Sequence, residues 1–112
     1  MKVDGDFVNK LVRDNIPEII RNSSDAAKYK VVKLSDHEYY SELLKKLREE
    51  CDEFISDGTI EELADIKEVM LAIMKFRGIS DDELTRVRIQ KKIDKGGFEQ
   101  RWFIEYADNT EN

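Results

Sequence analysis

The sequence predicts an all-α fold: an antiparallel helical hairpin with a third helix packed on it, its four-helix-bundle-like core completed by oligomerisation. Three observations predict it. Ser/Thr-x-x-Glu pairs open three long segments, at Ser35, Thr59 and Ser80. Glycines close them, at 58, 78 and 96–97. Within the segments, apolar residues recur three and four apart, the spacing of one helix face. The only proline is Pro17, so nothing behind it forbids long helices.

Residues 1–8 carry no clear pattern. Asn15 can cap a short helix with Pro17 in its first turn. Asn22-Ser23-Ser24-Asp25 reads as a turn cluster. Lys28 to Leu34 alternates loosely around Tyr29, Val31, Val32 and Leu34, which suits a short strand or an extended arm. Ser35 with Glu38 forms a capping box. The helix behind it runs to about Ser56, with Tyr40, Leu43, Leu44, Leu47, Cys51, Phe54 and Ile55 as its apolar stripe. Asp57-Gly58 ends it, and Thr59 with Glu62 opens the next helix, which reaches about Arg77 before Gly78. Ser80 with Glu83 opens the third, which reaches about Lys95. Phe98 to Tyr106 is rich in aromatic residues and reads as helix or extended chain; Trp102 and its neighbours suit core or subunit contact. Asp108 to Asn112 reads as a frayed tail.

With 112 residues, no internal repeat and no long linker, the chain is expected to be a single domain over 1–112. It is 39% charged, with 25 acidic residues against 19 basic, and a pI near 4.9. That balance argues against coating a nucleic acid polymer, which requires a basic footprint. It leaves open a small phosphorylated ligand, because a metal ion can bridge acids to phosphates. One cysteine, Cys51, excludes an internal disulfide, and with no signal-peptide pattern the expected location is the cytoplasm. No apolar run approaches the roughly 20 residues that span a membrane.

The acids around the bend carry the functional question. With Gly58 as the bend and about 1.5 Å of rise per residue, Glu50 lies about 12 Å from it and Glu53 about 7.5 Å. On the other arm Glu62 lies about 6 Å away and Asp65 about 10 Å. Glu53 thus stands level with Glu62, and Glu50 with Asp65, each pair three apart on its own helix. Ile66, Val69 and Ile73 share a face with Glu62; Val69, Ala72 and Phe76 share one with Asp65; Leu43, Leu47 and Phe54 bracket Glu50. Carboxylates on apolar stripes are unfavourable unless neutralised, and a divalent cation removes both the burial and the repulsion penalty. All-oxygen donors suit a hard ion, magnesium first and manganese second. The geometry alone leaves two readings, a metal site and a solvated acidic face. Glu49, Asp52 and Glu61 lie farther from the stripes, although Glu49 is close enough to serve a bound water.

Basic residues gather later in the chain. Lys91, Lys92, Lys95 and Arg101, with Lys10 and Arg13 near the N-terminus, are candidates to hold phosphate oxygens. Three lysines at one helix C-terminus also suit the helix dipole without any ligand. Other chemistry lacks its residues. His37 is the only histidine, no Glu-x-x-His pair exists, and no Gly-x-x-x-x-Gly-Lys loop is present. Cys51 lies on the apolar stripe and reads as core.

Glu49-Glu50-x-x-Glu53 followed by Glu62-x-x-Asp65 resembles the acidic signature of the MazG-like all-α nucleoside triphosphate pyrophosphohydrolases, a superfamily related to phosphoribosyl-ATP pyrophosphohydrolase. Lys10-Leu11-Val12-Arg13-Asp14-Asn15-Ile16-Pro17 is similar to an N-terminal element of its small single-domain branch. Glu61-Glu62-Leu63-Ala64-Asp65-Ile66 and Gly96-Gly97-Phe98 are similar to two more. The resemblance covers residues 10 to 98 in order. It implies magnesium-dependent hydrolysis of a nucleoside triphosphate to the monophosphate and pyrophosphate. It implies that Glu50, Glu53, Glu62 and Asp65 hold the metal, with Glu49 orienting or deprotonating water. The short gap between the two acidic motifs departs from the family's commoner longer spacing, and Lys95 stands where the branch often has arginine.

The nearly all-round apolar surface of the second helix (Leu63, Ile66, Val69, Met70, Leu71, Ile73, Met74, Phe76) predicts a homodimer or homotetramer. Two alternatives belong to other classes: a nucleotide- or metal-binding sensor without turnover, and a helical assembly module whose acids only set register.

Overall fold

The computed structural model describes residues 8–108. Four α-helices follow in order: α1 Ile16–Arg21, α2 Asp36–Asp57, α3 Ile60–Arg77 and α4 Asp81–Lys95, with a single 3-10 turn at Ala26–Lys28. Among the described residues there is no strand. Of the stretch from Lys28 to Leu34, Lys28 ends the 3-10 turn and the rest is irregular chain, as is Phe98 to Tyr106. The tail expected from Asp108 onward lies, apart from Asp108, outside the described residues.

The helix boundaries follow from local hydrogen bonding. Ser35 Oγ accepts from Glu38 N at 3.3 Å, while Glu38 Oε1 accepts from Ser35 N at 3.2 Å. Thr59 and Glu62 repeat this reciprocal arrangement at the start of α3. Each box satisfies backbone donors that the first helical turn leaves without partners. Ser80 caps α4 by accepting from Glu83 N at 3.0 Å. Asn15 stands at the N-cap of α1 without a side-chain cap bond, so there the proline in the first turn sets the start. Gly58 and Gly78 end α2 and α3 at φ of 68° and 71°, the left-handed conformation that a Cβ disfavours.

Gly58 and Thr59 alone join α2 to α3, so the two helices turn back and pack along each other. Near the open end of the hairpin, Tyr39 meets the Phe76 ring edge-on at 5.6 Å and Tyr40 stacks on it at 5.3 Å. Leu43 of α2 and Val69 and Met74 of α3 are buried, with Ile20 from α1. Among the described residues, these four buried apolar side chains make a small core for this many helical residues.

The chain divides into two compact units, one ending at Gly78 and one beginning at Ile79. The first holds α1 and the α2–α3 hairpin. The second holds α4 and the chain after it. No residue of α4 is buried, and Phe98, Trp102, Phe103, Ile104 and Tyr106 are all strongly exposed, Trp102 by 87%. Among the described residues, no helix is long and apolar enough to cross a membrane.

Candidate functional site

Helical spacing sets up the site on α2. Lys46, Glu49, Glu50 and Glu53 stand at offsets of zero, three, four and seven, hence on one face. Glu50 is buried, with 6% of its surface exposed. Its Oε1 lies 3.4 Å from Lys46 Nζ. Its Oε2 is fully buried and has no hydrogen-bond partner. A desolvated carboxylate oxygen without a donor is unfavourable, and such atoms are uncommon in folded proteins.

Glu53 is exposed, one turn further on. Its carboxyl is pushed above the ordinary glutamate value. Desolvation contributes most, then the charge of Glu50, a hydrogen bond to Glu50 and the charge of Glu49, with Lys46 opposing. That hydrogen bond exists only while Glu53 holds a proton. When ionised, Glu53 offers Glu50 no donor and the two carboxylates repel. Negative charge is thus concentrated on this face beyond what Lys46 offsets.

The N-terminal segment supplies two further cations. Lys10 Nζ lies 3.0 Å from Glu49 Oε1, which Lys46 Nζ also approaches at 3.7 Å. Arg13 Nη2 donates to Asp65 Oδ1 on α3. One short stretch of chain therefore pairs with both arms of the hairpin. Between that stretch and α2 lies a cavity of about 110 Å³, its wall including Lys10, Lys45, Lys46 and Glu49. Lys45 pairs with Glu42 at 2.9 Å. The second α3 acid, Glu62, is half-buried, and its Oε1 accepts from Thr59 Oγ1 at 2.8 Å in the capping box.

The expected residues therefore fall into three groups. Glu49, Glu50 and Glu53 are brought together on α2 with Lys46. Glu62 and Asp65 stand on α3, engaged by Thr59 and Arg13. Lys91, Lys92, Lys95 and Arg101 are exposed in the second unit, the first three on α4 and Arg101 at φ 62° beyond it. Lys46 and Lys45 were not among the expected site residues. Lys46 was legible, since it precedes Glu49 by three and Glu50 by four, the offsets of helical ion pairs. Cys51, expected in the core, is only half-buried, and His37 is exposed.

In this arrangement, no three acidic, histidine or cysteine side chains among the described residues converge closely enough to hold a metal ion. The donor set still fits a hard divalent cation in its chemistry. It consists of carboxylates, one of which buries an oxygen without a partner beside a second whose ionisation is disfavoured. On α3, Thr59 engages Glu62 through Oε1 and Arg13 engages Asp65 through Oδ1. Comparisons with protein families, with curated proteins and with solved structures return no match to this chain.

Proposed function

We propose that the protein is a magnesium-dependent nucleotide pyrophosphohydrolase, which cleaves a nucleoside triphosphate to the monophosphate and pyrophosphate. The observation that carries this reading is Glu50: a buried glutamate with an unpartnered oxygen, inside the acidic motif and one turn from Glu53. A core position that only had to fill space would not favour two carboxylates so close together.

Glu50, Glu53, Glu62 and Asp65 would hold the ion, with magnesium preferred and manganese tolerated. Bound there, it supplies positive charge to the phosphate oxygens that develop charge during cleavage. Glu49, at the edge of the acidic face, orients the attacking water and takes its proton. Lys10 and Arg13 stand beside the acids and receive phosphate oxygens, and Lys45 and Lys46 extend that basic wall around the cavity. Lys91, Lys92, Lys95 and Arg101, exposed on the second unit, are further basic candidates for binding phosphate.

Exposed apolar residues on the hairpin, among them Leu44, Ile55, Leu63, Met70 and Leu71, support a homodimer or homotetramer whose helices complete a four-helix-bundle-like core. One free cysteine is compatible with a cytoplasmic location.

The test follows pyrophosphate release from a panel of nucleoside triphosphates, with and without magnesium, for wild type, Glu50→Gln and Glu53→Gln. Release that requires magnesium and falls at least about a hundredfold in both variants supports the reading. Absence of release from every nucleotide removes the enzyme. Magnesium-dependent stabilisation without release would replace it with a sensor.

A further inference from the structure

We propose that Lys10 and Arg13 are exchangeable counterions. They neutralise Glu49 and Asp65 while no divalent cation is bound, and pass to an anionic ligand when one is. The inference rests on the acidic face being a cation site, as read above, and concerns what competes for it.

Three features of the structure lead there. First, the two cations come from one stretch of irregular chain and reach opposite arms of the hairpin, Lys10 to α2 and Arg13 to α3. A single displacement of that stretch would uncover acids on both helices. Second, the pairs are surface pairs. The side chains of Lys10 and Arg13 are 39% and 58% exposed, so each pair is weak and can be exchanged. Lys46 differs: its side chain is 20% exposed and it bridges Glu49 and Glu50 within α2, so it stays in place. Third, Glu50 Oε2 remains buried and unpartnered even with these three cations present. Lys10 and Arg13 therefore serve Glu49 and Asp65, Lys46 meets Glu50 at Oε1, and Oε2 is left without a donor.

The electrostatic consequence has a definite sign. A positive side chain within a few ångströms of a dication repels it, so removing that side chain tightens cation binding. The same side chain attracts a polyphosphate, so removing it weakens anion binding. A residue that merely held the fold together would weaken both. A residue that served phosphate alone would leave the cation unaffected.

The experiment uses the full chain and two probes, Mn²⁺ alone and inorganic tripolyphosphate in saturating Mn²⁺, each titrated by calorimetry. Wild type is compared with Arg13→Gln, Lys10→Gln and the charge-preserving Arg13→Lys, with melting curves recorded for each. The expected result is Mn²⁺ bound about three- to tenfold more tightly by Arg13→Gln and Lys10→Gln, with tripolyphosphate bound more weakly by a similar factor. Arg13→Lys should stay near wild type for Mn²⁺. Unchanged or weaker Mn²⁺ binding in both neutral variants overturns the exchange; if either loses thermal stability, the Arg13→Lys comparison decides, because a gain in Mn²⁺ affinity there excludes a charge effect. Glu50→Gln separates the two readings. If it abolishes Mn²⁺ binding while the Lys10 and Arg13 variants do nothing, the site stands and the exchange falls. If wild type binds no Mn²⁺, both fall.

Discussion

Glu50 is buried on α2 with one oxygen near Lys46 Nζ and the other without a donor. Gln has the same shape and carries no charge to desolvate. Without divalent cations, Glu50→Gln is therefore expected to melt at or above the wild-type temperature, by up to about 1 kcal/mol in stability. Added magnesium should stabilise wild type and leave the variant unmoved. A lower melting temperature in metal-free buffer would show that the Lys46 pair outweighs the burial penalty. Glu38 shifts in the direction opposite to Glu53. Its carboxyl is held below the usual 4.5, first by the Ser35 hydroxyl and then by the Ser35 backbone N–H. A carboxyl with a depressed folded value adds stability above its unfolded value and loses it as pH falls through the folded one. The melting-temperature gap between wild type and Glu38→Gln should thus be open at neutral pH and close in acid, which a pH series of thermal melts will check.

The helices begin and end where capping chemistry places them, and this part of the fold was legible because a capping box spans only four residues. Thr59→Ala is expected to destabilise the protein by about 1 kcal/mol, read by denaturant unfolding, since it leaves first-turn donors without a partner. At the other end of the same turn, Gly58 has φ of 68°, and a Cβ built there would come no nearer than 4.0 Å to the Phe54 carbonyl oxygen. Gly58→Ala therefore meets no clash, and its expected loss of about 1 kcal/mol is the left-handed backbone alone. The irregular stretches were less legible. Lys28 to Leu34 has the composition of a strand, but a strand needs a hydrogen-bonding partner, and none of the described residues supplies one. The aromatic run after Gly97 has no helical spacing and no cap, and forms neither helix nor strand.

At the scale of the whole molecule, the buried core is short of apolar residues and the surface is rich in them. Ile20, Leu43, Val69 and Met74 are buried, while Leu63, Met70 and Leu71 on α3 are exposed. A charge at Met70 or Leu71 falls on the surface of one chain, whereas a charge at Val69 falls inside it. Met70→Lys or Leu71→Lys is accordingly expected to convert the proposed oligomer to monomer with helical content retained, as followed by light scattering and circular dichroism. Val69→Lys is expected to unfold the chain, because an unpaired buried charge is not tolerated. Light scattering that finds wild type monomeric at all concentrations would remove the oligomer.

The sequence by itself determined the helices, the turn between α2 and α3, and the candidacy of Glu50, Glu53, Glu62 and Asp65. These depend on caps, glycines and spacing within a few residues, where local hydrogen bonding and helical geometry leave little choice. Tertiary structure decided which acid is buried and which cation meets it. Arg13 and Asp65 are 52 positions apart, and no local pattern relates them. Only folding the N-terminal segment against the hairpin brings Lys10 to Glu49 and Arg13 to Asp65. Helical spacing placed Glu50 and Glu53 on one face. Packing then buried Glu50, left Glu53 exposed and kept one oxygen of Glu50 without a partner, because burial depends on what the rest of the chain lays over a helix.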